Sequence, residues 1–178
     1  MALPAAHIIA PMLIVQTYRR YIAKENFSFF YTFLAGVAGA LPDIDVVIGF
    51  LINTVNHTHL NYHRGITHSF LFTAIFLLLC ILFSLTAYIH QNKILKKRAH
   101  LCAAFFLVIG FGTLTHISLD CLAGNTALLL PFQRTSVCPS LLLNITYAGI
   151  LDGILVLTWF LLYGGVIDFK KLKKKDKK

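Results

Sequence analysis

His116 and Asp120 stand four residues apart in an apolar stretch, a spacing that puts an imidazole and a carboxylate on one helix face, one turn apart. Such a pair can grip one divalent ion or two adjacent ones. The same residue types recur at His63 and His68, five positions apart and therefore about 140° from each other on an ideal helix. That spacing predicts His63 in a loop and His68 at the opening of the helix that follows. Asp43 and Asp45 come directly after Pro42. At i and i+2 they diverge on a regular helix, but a proline in the first turn of a new half-helix allows the backbone to converge them. His7 begins the first apolar stretch. Neutral imidazole and carboxylate gathered in one place are the ligand set of zinc or a related divalent metal. Arg64, between His63 and Gly65, adds a planar guanidinium that can hold two phosphate oxygens while a metal polarises the phosphoryl group. Asp43 or Asp45 could act as general base instead of ligand, and Arg64 as the anchor of the substrate.

These residues are costly where they stand. Hydrophobic residues make up 57% of the 178 and charged residues 13%, against about 45–50% and about 25% in ordinary soluble proteins. Only seven residues are acidic, yet Asp43, Asp45, Asp120 and Asp152 lie within or beside apolar segments, where a carboxylate costs roughly 2.5–3.5 kcal/mol. The composition is that of a membrane protein and excludes both disorder and a secreted disulfide scaffold. Phe70–Ile89 is uncharged and long enough to cross a hydrocarbon core of about 30 Å. The apolar runs predict an all-α integral membrane bundle of about four to five segments: about Ala5 to Tyr18, Phe27 to Ile52 broken at Leu41-Pro42, Phe70 to Ile89, about Ala99 to Leu122, and about Leu141 to Tyr163. Residues 1–167 read as one membrane-embedded domain and 168–178 as a basic tail.

The net charge of +9 does not indicate nucleic-acid binding. Fourteen of the 16 basic residues form three clusters beside apolar segments: Arg19, Arg20 and Lys24; Lys93, Lys96, Lys97 and Arg98; and the lysines from Lys170 to Lys178. The positive-inside rule assigns all three to the cytoplasm, with the tail meeting anionic lipid. Six of the eight histidines then fall on the outer half, and only His90 and His100 on the inner. Arg64 and Arg134 occupy the two outer loops. Any single histidine reads more plainly as a loop or interface residue, His57 and His59 included. Asp152, between Gly149 and Gly153, reads either as an interhelical hydrogen-bond partner at a close small-residue contact or as a support for a ligand. Cys80 and Cys102 read as small hydrophobes. Cys121 and Cys138 could bridge a loop, although unbridged thiols are the expected state.

The runs Leu41-Pro42-Asp43-Ile44-Asp45 and His63-Arg64-Gly65-Ile66-Thr67-His68-Ser69, the His116/Asp120 pair, Gly124 and Pro131 together resemble the YdjM-like family of bacterial inner-membrane metal-dependent hydrolases, some described as LexA-regulated. The resemblance runs from about His7 to Asp152. The family is in turn distantly similar to all-helical zinc phospholipase C and P1-type nucleases. By that similarity His7, Asp43, Asp45, His63, His68, His116 and Asp120 would be ligands. Asp152 departs from the family pattern, in which proline commonly follows the last acid.

Two functions fit these residues. One is a hydrolase in which one to three ions, Zn2+ or else Mn2+, activate water against the phosphoester of a lipid or lipid-linked substrate at the outer face of the inner membrane. The other is an ion or metal transporter, or a protein in which metal only staples helices. Transport would spread charges across the full depth and pair broken helices in repeats. Here the polar groups bunch towards one side, which favours the hydrolase.

Overall fold

A computed structural model describes residues 4–23, 27–60, 64–124, 126, 128–132, 138 and 145–163 of the chain. Among the described residues six α-helices carry the fold: α1 (Pro4–Thr17), α2 (Phe29–Ala40), α3 (Ile44–Asn56), α4 (Phe70–Ile89), α5 (Lys93–Ala123) and α6 (Ile145–Tyr163). No strand occurs among the described residues. The architecture is an all-α membrane bundle. Three helical stretches, Phe29–Asn56, Phe70–Ile89 and Lys93–Ala123, are long and apolar enough to cross a membrane. His63, Arg134 and the lysine tail lie outside the described residues, as does the expected boundary at 167.

Two expectations about the helices change. The break at Leu41-Pro42 is a single tight 3-10 turn, Leu41–Asp43, between α2 and α3, and the chain stays helical through it. Proline needs no donor in this first turn, so the disruption stays local. The basic cluster at Lys93–Arg98 is not a loop but the first turns of α5. Asn92 caps this helix, its side-chain oxygen accepting from Ile94 N at 2.9 Å and Leu95 N at 3.3 Å. At 31 residues, α5 is about 46 Å long, so its basic first turns reach past a hydrocarbon layer of about 30 Å.

The bundle is small-residue inside and large-residue outside. Ala35, Ala38, Thr32, Thr73 and Thr113 are buried, whereas Phe33, Phe50, Leu78, Ile81 and Leu157 are exposed. In water this would be inverted; in lipid it is the expected arrangement, because large apolar side chains have nothing to gain by turning inward. Hydroxyls on the outward faces bond back to their own helix, as Thr86 does to Leu82 O at 2.8 Å and Ser118 to Leu114 O at 2.8 Å. Between helices, Thr32 donates to Gln16 Oε1 at 2.9 Å and Thr73 to Thr113 Oγ1 at 3.1 Å, joining α2 to α1 and α4 to α5.

Glycine permits the closest approaches. A Cβ on Gly112 would lie 2.6 Å from Ala38 Cβ and 2.9 Å from Ala35 O, so the α5 and α2 backbones touch there. A Cβ on Gly39 would strike the backbone oxygen of His7 and lie 2.9 Å from Pro11 Cγ, so α2 and α1 do the same. At the far end of the bundle, Arg19 Nε donates to Phe27 O at 2.7 Å and Arg20 Nη1 to Leu162 O at 3.2 Å, tying the turn after α1 to the start of α2 and the end of α6.

Gly112→Ala is expected to destabilise the bundle by about 1–3 kcal/mol, the usual cost of overpacking a close contact. Gly149→Ala, with nothing within 4 Å of its added methyl, is expected to cost nothing. Unfolding of both variants by SDS in mixed micelles, compared with the parent chain, measures the difference.

Candidate metal centre

Four elements deliver polar side chains to one end of the bundle. α5 supplies His116 and Asp120 from its inward face, one turn apart, as their spacing requires. The tight turn Leu41–Asp43 ends on Asp43, and a second tight turn, Ile66–His68, presents His68 immediately before α4. α1 supplies His7. The chain folds locally this way because Pro42 ends α2 at the right depth and because Ser69, in extended conformation, separates His68 from the regular helix.

Four atoms converge. His68 Nε2 and His116 Nε2 are 3.2 Å apart. His68 Nε2 lies 3.4 Å from Asp43 Oδ1 and 3.5 Å from Asp120 Oδ2. His116 Nε2 lies 3.7 Å and 3.5 Å from the same two oxygens. Four ligands placed tetrahedrally at the usual zinc distances of about 2.0–2.1 Å are separated from one another by about 3.3–3.4 Å. These five separations are of that size, and the atoms of Asp43, His68 and His116 form a group that could hold a zinc-like ion.

The protons of the two rings follow from their partners. His116 Nδ1 is 2.6 Å from Gly39 O, and a carbonyl only accepts, so the proton sits on Nδ1. His68 Nδ1 is 3.2 Å from Asp45 Oδ2 and 3.1 Å from Thr67 Oγ1. Thr67 donates its own hydroxyl proton to Asp45 Oδ2 at 3.0 Å, as does Arg64 N at 3.0 Å, so His68 also carries its proton on Nδ1. With each neutral ring protonated at Nδ1, both Nε2 lone pairs face two carboxylate oxygens in a buried space. Asp120 Oδ2 has no hydrogen-bond partner among the described residues. The arrangement suits a cation: one shared proton leaves most of its acceptors unmet, whereas a divalent ion could meet several of them at once.

His7 extends the cluster. Its Nε2 is 3.3 Å from Asp120 Oδ1, and its ring stacks on His116 at 3.9 Å. His7, His116 and Asp120 form a second group that could hold an ion, sharing residues with the group of Asp43, His68 and His116. Asp120 thus turns one oxygen to each side and can bridge. Access lies over Asp43, whose side chain is 27% exposed where those of His68 and His116 are 0%.

Residues 1–172 match the YdjM inner membrane proteins. The chain belongs to the YdjM inner membrane protein family. No curated protein and no solved structure matches it.

Of the ligands expected in this YdjM family member, His7, Asp43, His68, His116 and Asp120 come together, and His63 lies outside the described residues. Asp45 is not among the converging atoms. It stands behind His68 and holds the ring from its Nδ1 side, a position from which a carboxylate could orient a ligand and raise its basicity. Asp43 and Asp45 therefore do not converge; they flank one imidazole. Arg64 sits in the left-handed backbone region at φ 67°, which points its N–H at Asp45, while its guanidinium donates to Gly124 O at 3.4 Å. His57 and His59 line a separate surface recess with Asn53, and His90 and His100 are exposed at the opposite end of the bundle. Contrary to expectation, Cys121 and Cys138 are joined in a disulfide one residue beyond Asp120. Two orienting groups escaped the sequence: Gly39 O, a backbone atom that no side-chain pattern announces, and Thr67, whose only signal was its place beside His68.

Substitution separates holders from orienters. His68→Ala, His116→Ala and Asp120→Ala are expected to abolish stoichiometric zinc in detergent-purified protein. Asp45→Asn should weaken zinc by about 10–100-fold without abolishing it, and His90→Ala and His100→Ala should leave it unchanged, as read by metal analysis and chelator competition.

Proposed function

We propose that this membrane protein is a metal-dependent hydrolase that cleaves a phosphoester of a lipid or lipid-linked substrate. The observation that carries the reading is the approach of two imidazole Nε2 atoms, 3.2 Å apart, to two carboxylate oxygens at 3.4 to 3.7 Å, with one side open at Asp43. Zinc suits the nitrogen and oxygen donors, and manganese is the alternative. His68, His116, Asp43 and Asp120 would hold the first ion; His7 and the second oxygen of Asp120 could hold another.

Held there, a divalent ion would supply Lewis acidity towards a phosphoryl oxygen and would lower the pKa of a bound water towards neutrality. The chain's own residues do the remaining work. Asp45, Thr67 and the Gly39 carbonyl fix the two rings so that their Nε2 lone pairs face inward. Asp43, the most exposed of the four, stands at the opening, where the carboxylate oxygen not turned to the two rings can take a proton from incoming water. Arg64 lies on the same loop as His68 and supplies a guanidinium for substrate phosphate. The surrounding helices exclude bulk water and present apolar faces along which a lipid can approach.

Orientation supports a lipid substrate taken from the outer leaflet. The basic clusters of the described residues gather at the end opposite the site, as expected for a cytoplasmic end. The Cys121–Cys138 disulfide lies beside the site, and disulfides persist in oxidising compartments such as the periplasm.

Purified protein in lipid is expected to release phosphate or headgroup from a panel of phospholipids and lipid-linked phosphates. Chelation should abolish turnover, zinc or manganese should restore it, and Arg64→Lys should keep metal while losing turnover. Metal flux across sealed vesicles with no hydrolysis on any member of the panel would replace this reading with transport.

A further inference from the structure

We propose that Asp152, on α6, is a positioning residue for the metal centre: its carboxylate caps the N-terminus of α1 and so fixes His7 against Asp120 and His116. The inference rests on the metal reading above. α1 begins at Pro4, and the N–H groups of its first turn have no partner within the helix. Ala6 is fully buried, so water does not satisfy them. Asp152 does: Oδ1 accepts from Ala6 N at 2.8 Å and Oδ2 from Ala5 N at 3.4 Å. The positive end of the helix dipole adds to the attraction. Two N–H groups and a dipole thus offset the cost of a carboxylate in an apolar helix. The expected close small-residue contact at Asp152 is not seen among the described residues, since an added Cβ on Gly149 or Gly153 has none of their atoms within 4 Å.

His7 needs such a device more than the other two histidines. His68 and His116 are each oriented through Nδ1, by Asp45 and Thr67 and by the Gly39 carbonyl. His7 Nδ1 has no hydrogen-bond partner among the described residues. Its place is therefore set through its backbone. On one side its carbonyl abuts Gly39. On the other, Ala6 is clamped among Leu119 and Ala123 of α5 and Leu151 and Leu155 of α6, with Asp152 holding its N–H. α6, which supplies none of the converging atoms, acts on the site through this carboxylate and through the packing of Leu151 and Leu155 on Ala6.

The test is a double-mutant cycle read by Co2+ titration of the full-length protein in detergent, in which the visible absorption reports the ligand set. Asp152→Leu should lower Co2+ affinity about 10-fold and give the same altered spectrum as His7→Ala. The double variant should be no worse than either single one. Asp152→Asn keeps an amide oxygen for Ala6 N–H and should restore most of the affinity and the parent spectrum. Co2+ binding by Asp152→Leu like that of the parent, or losses that multiply in the double variant, would overturn the proposal while leaving the metal reading intact. Should Asp152→Leu not fold, Asp152→Asn carries the cycle: its smaller loss must vanish in the His7→Ala background, and persistence there overturns the proposal. A parent protein that binds no Co2+ would contradict the metal reading itself.

Discussion

Like charges and lone pairs turned towards one point in a dry interior repel, and the repulsion is strongest where the dielectric is lowest. At the end of this bundle two imidazole nitrogens lie 3.2 Å from each other and 3.4 to 3.7 Å from each of two carboxylate oxygens. Such an arrangement has to be held from behind, and a cation within would relieve it. The holding is visible at every ring whose Nδ1 proton has a partner: Asp45 and Thr67 for His68, a backbone carbonyl for His116. The cation is the part the proposal supplies.

The rest of the fold follows from bringing those backs into place. His116 reaches the Gly39 carbonyl because α2 and α5 touch at Gly112, and His7 reaches Asp120 because α1 and α2 touch at Gly39. Larger residues at either contact would separate the helices by more than the hydrogen bonds can follow. Threonines bridge the α1–α2 interface, through Thr32, and the α4–α5 interface, through Thr73 and Thr113, where a hydroxyl without a partner would be costly. Lipid covers the large apolar side chains, so the interior is free to be small, close and polar. A soluble protein would have to spend that interior on a hydrophobic core.

Much of this was legible in the sequence. The uncharged run Phe70–Ile89 became α4 residue for residue, and the four-residue spacing of His116 and Asp120 placed both on one face. Pro42 marked the interruption beside Asp43, although the interruption proved to be one tightened turn. What could not be read depends on contacts between distant segments. Nothing local to Asp45 distinguishes an orienting carboxylate from a ligand; that is decided by where Thr67 and His68 arrive. The Cys121–Cys138 bond depends on the path of a loop, and the Asp152 cap joins groups about 146 positions apart in the chain. Backbone atoms such as Gly39 O carry no signature in composition or periodicity at all.

The central claim is that His68, His116, Asp43 and Asp120 enclose a divalent ion. X-ray absorption of the zinc-loaded protein in detergent measures this directly, because it reports the type and distance of the atoms around the metal. The account predicts zinc bound in stoichiometric amount, with nitrogen and oxygen neighbours at about 2.0–2.1 Å, the multiple-scattering signature of two or three imidazoles, and no sulfur. A sulfur neighbour at about 2.3 Å, or a shell of oxygens without imidazole, would contradict it.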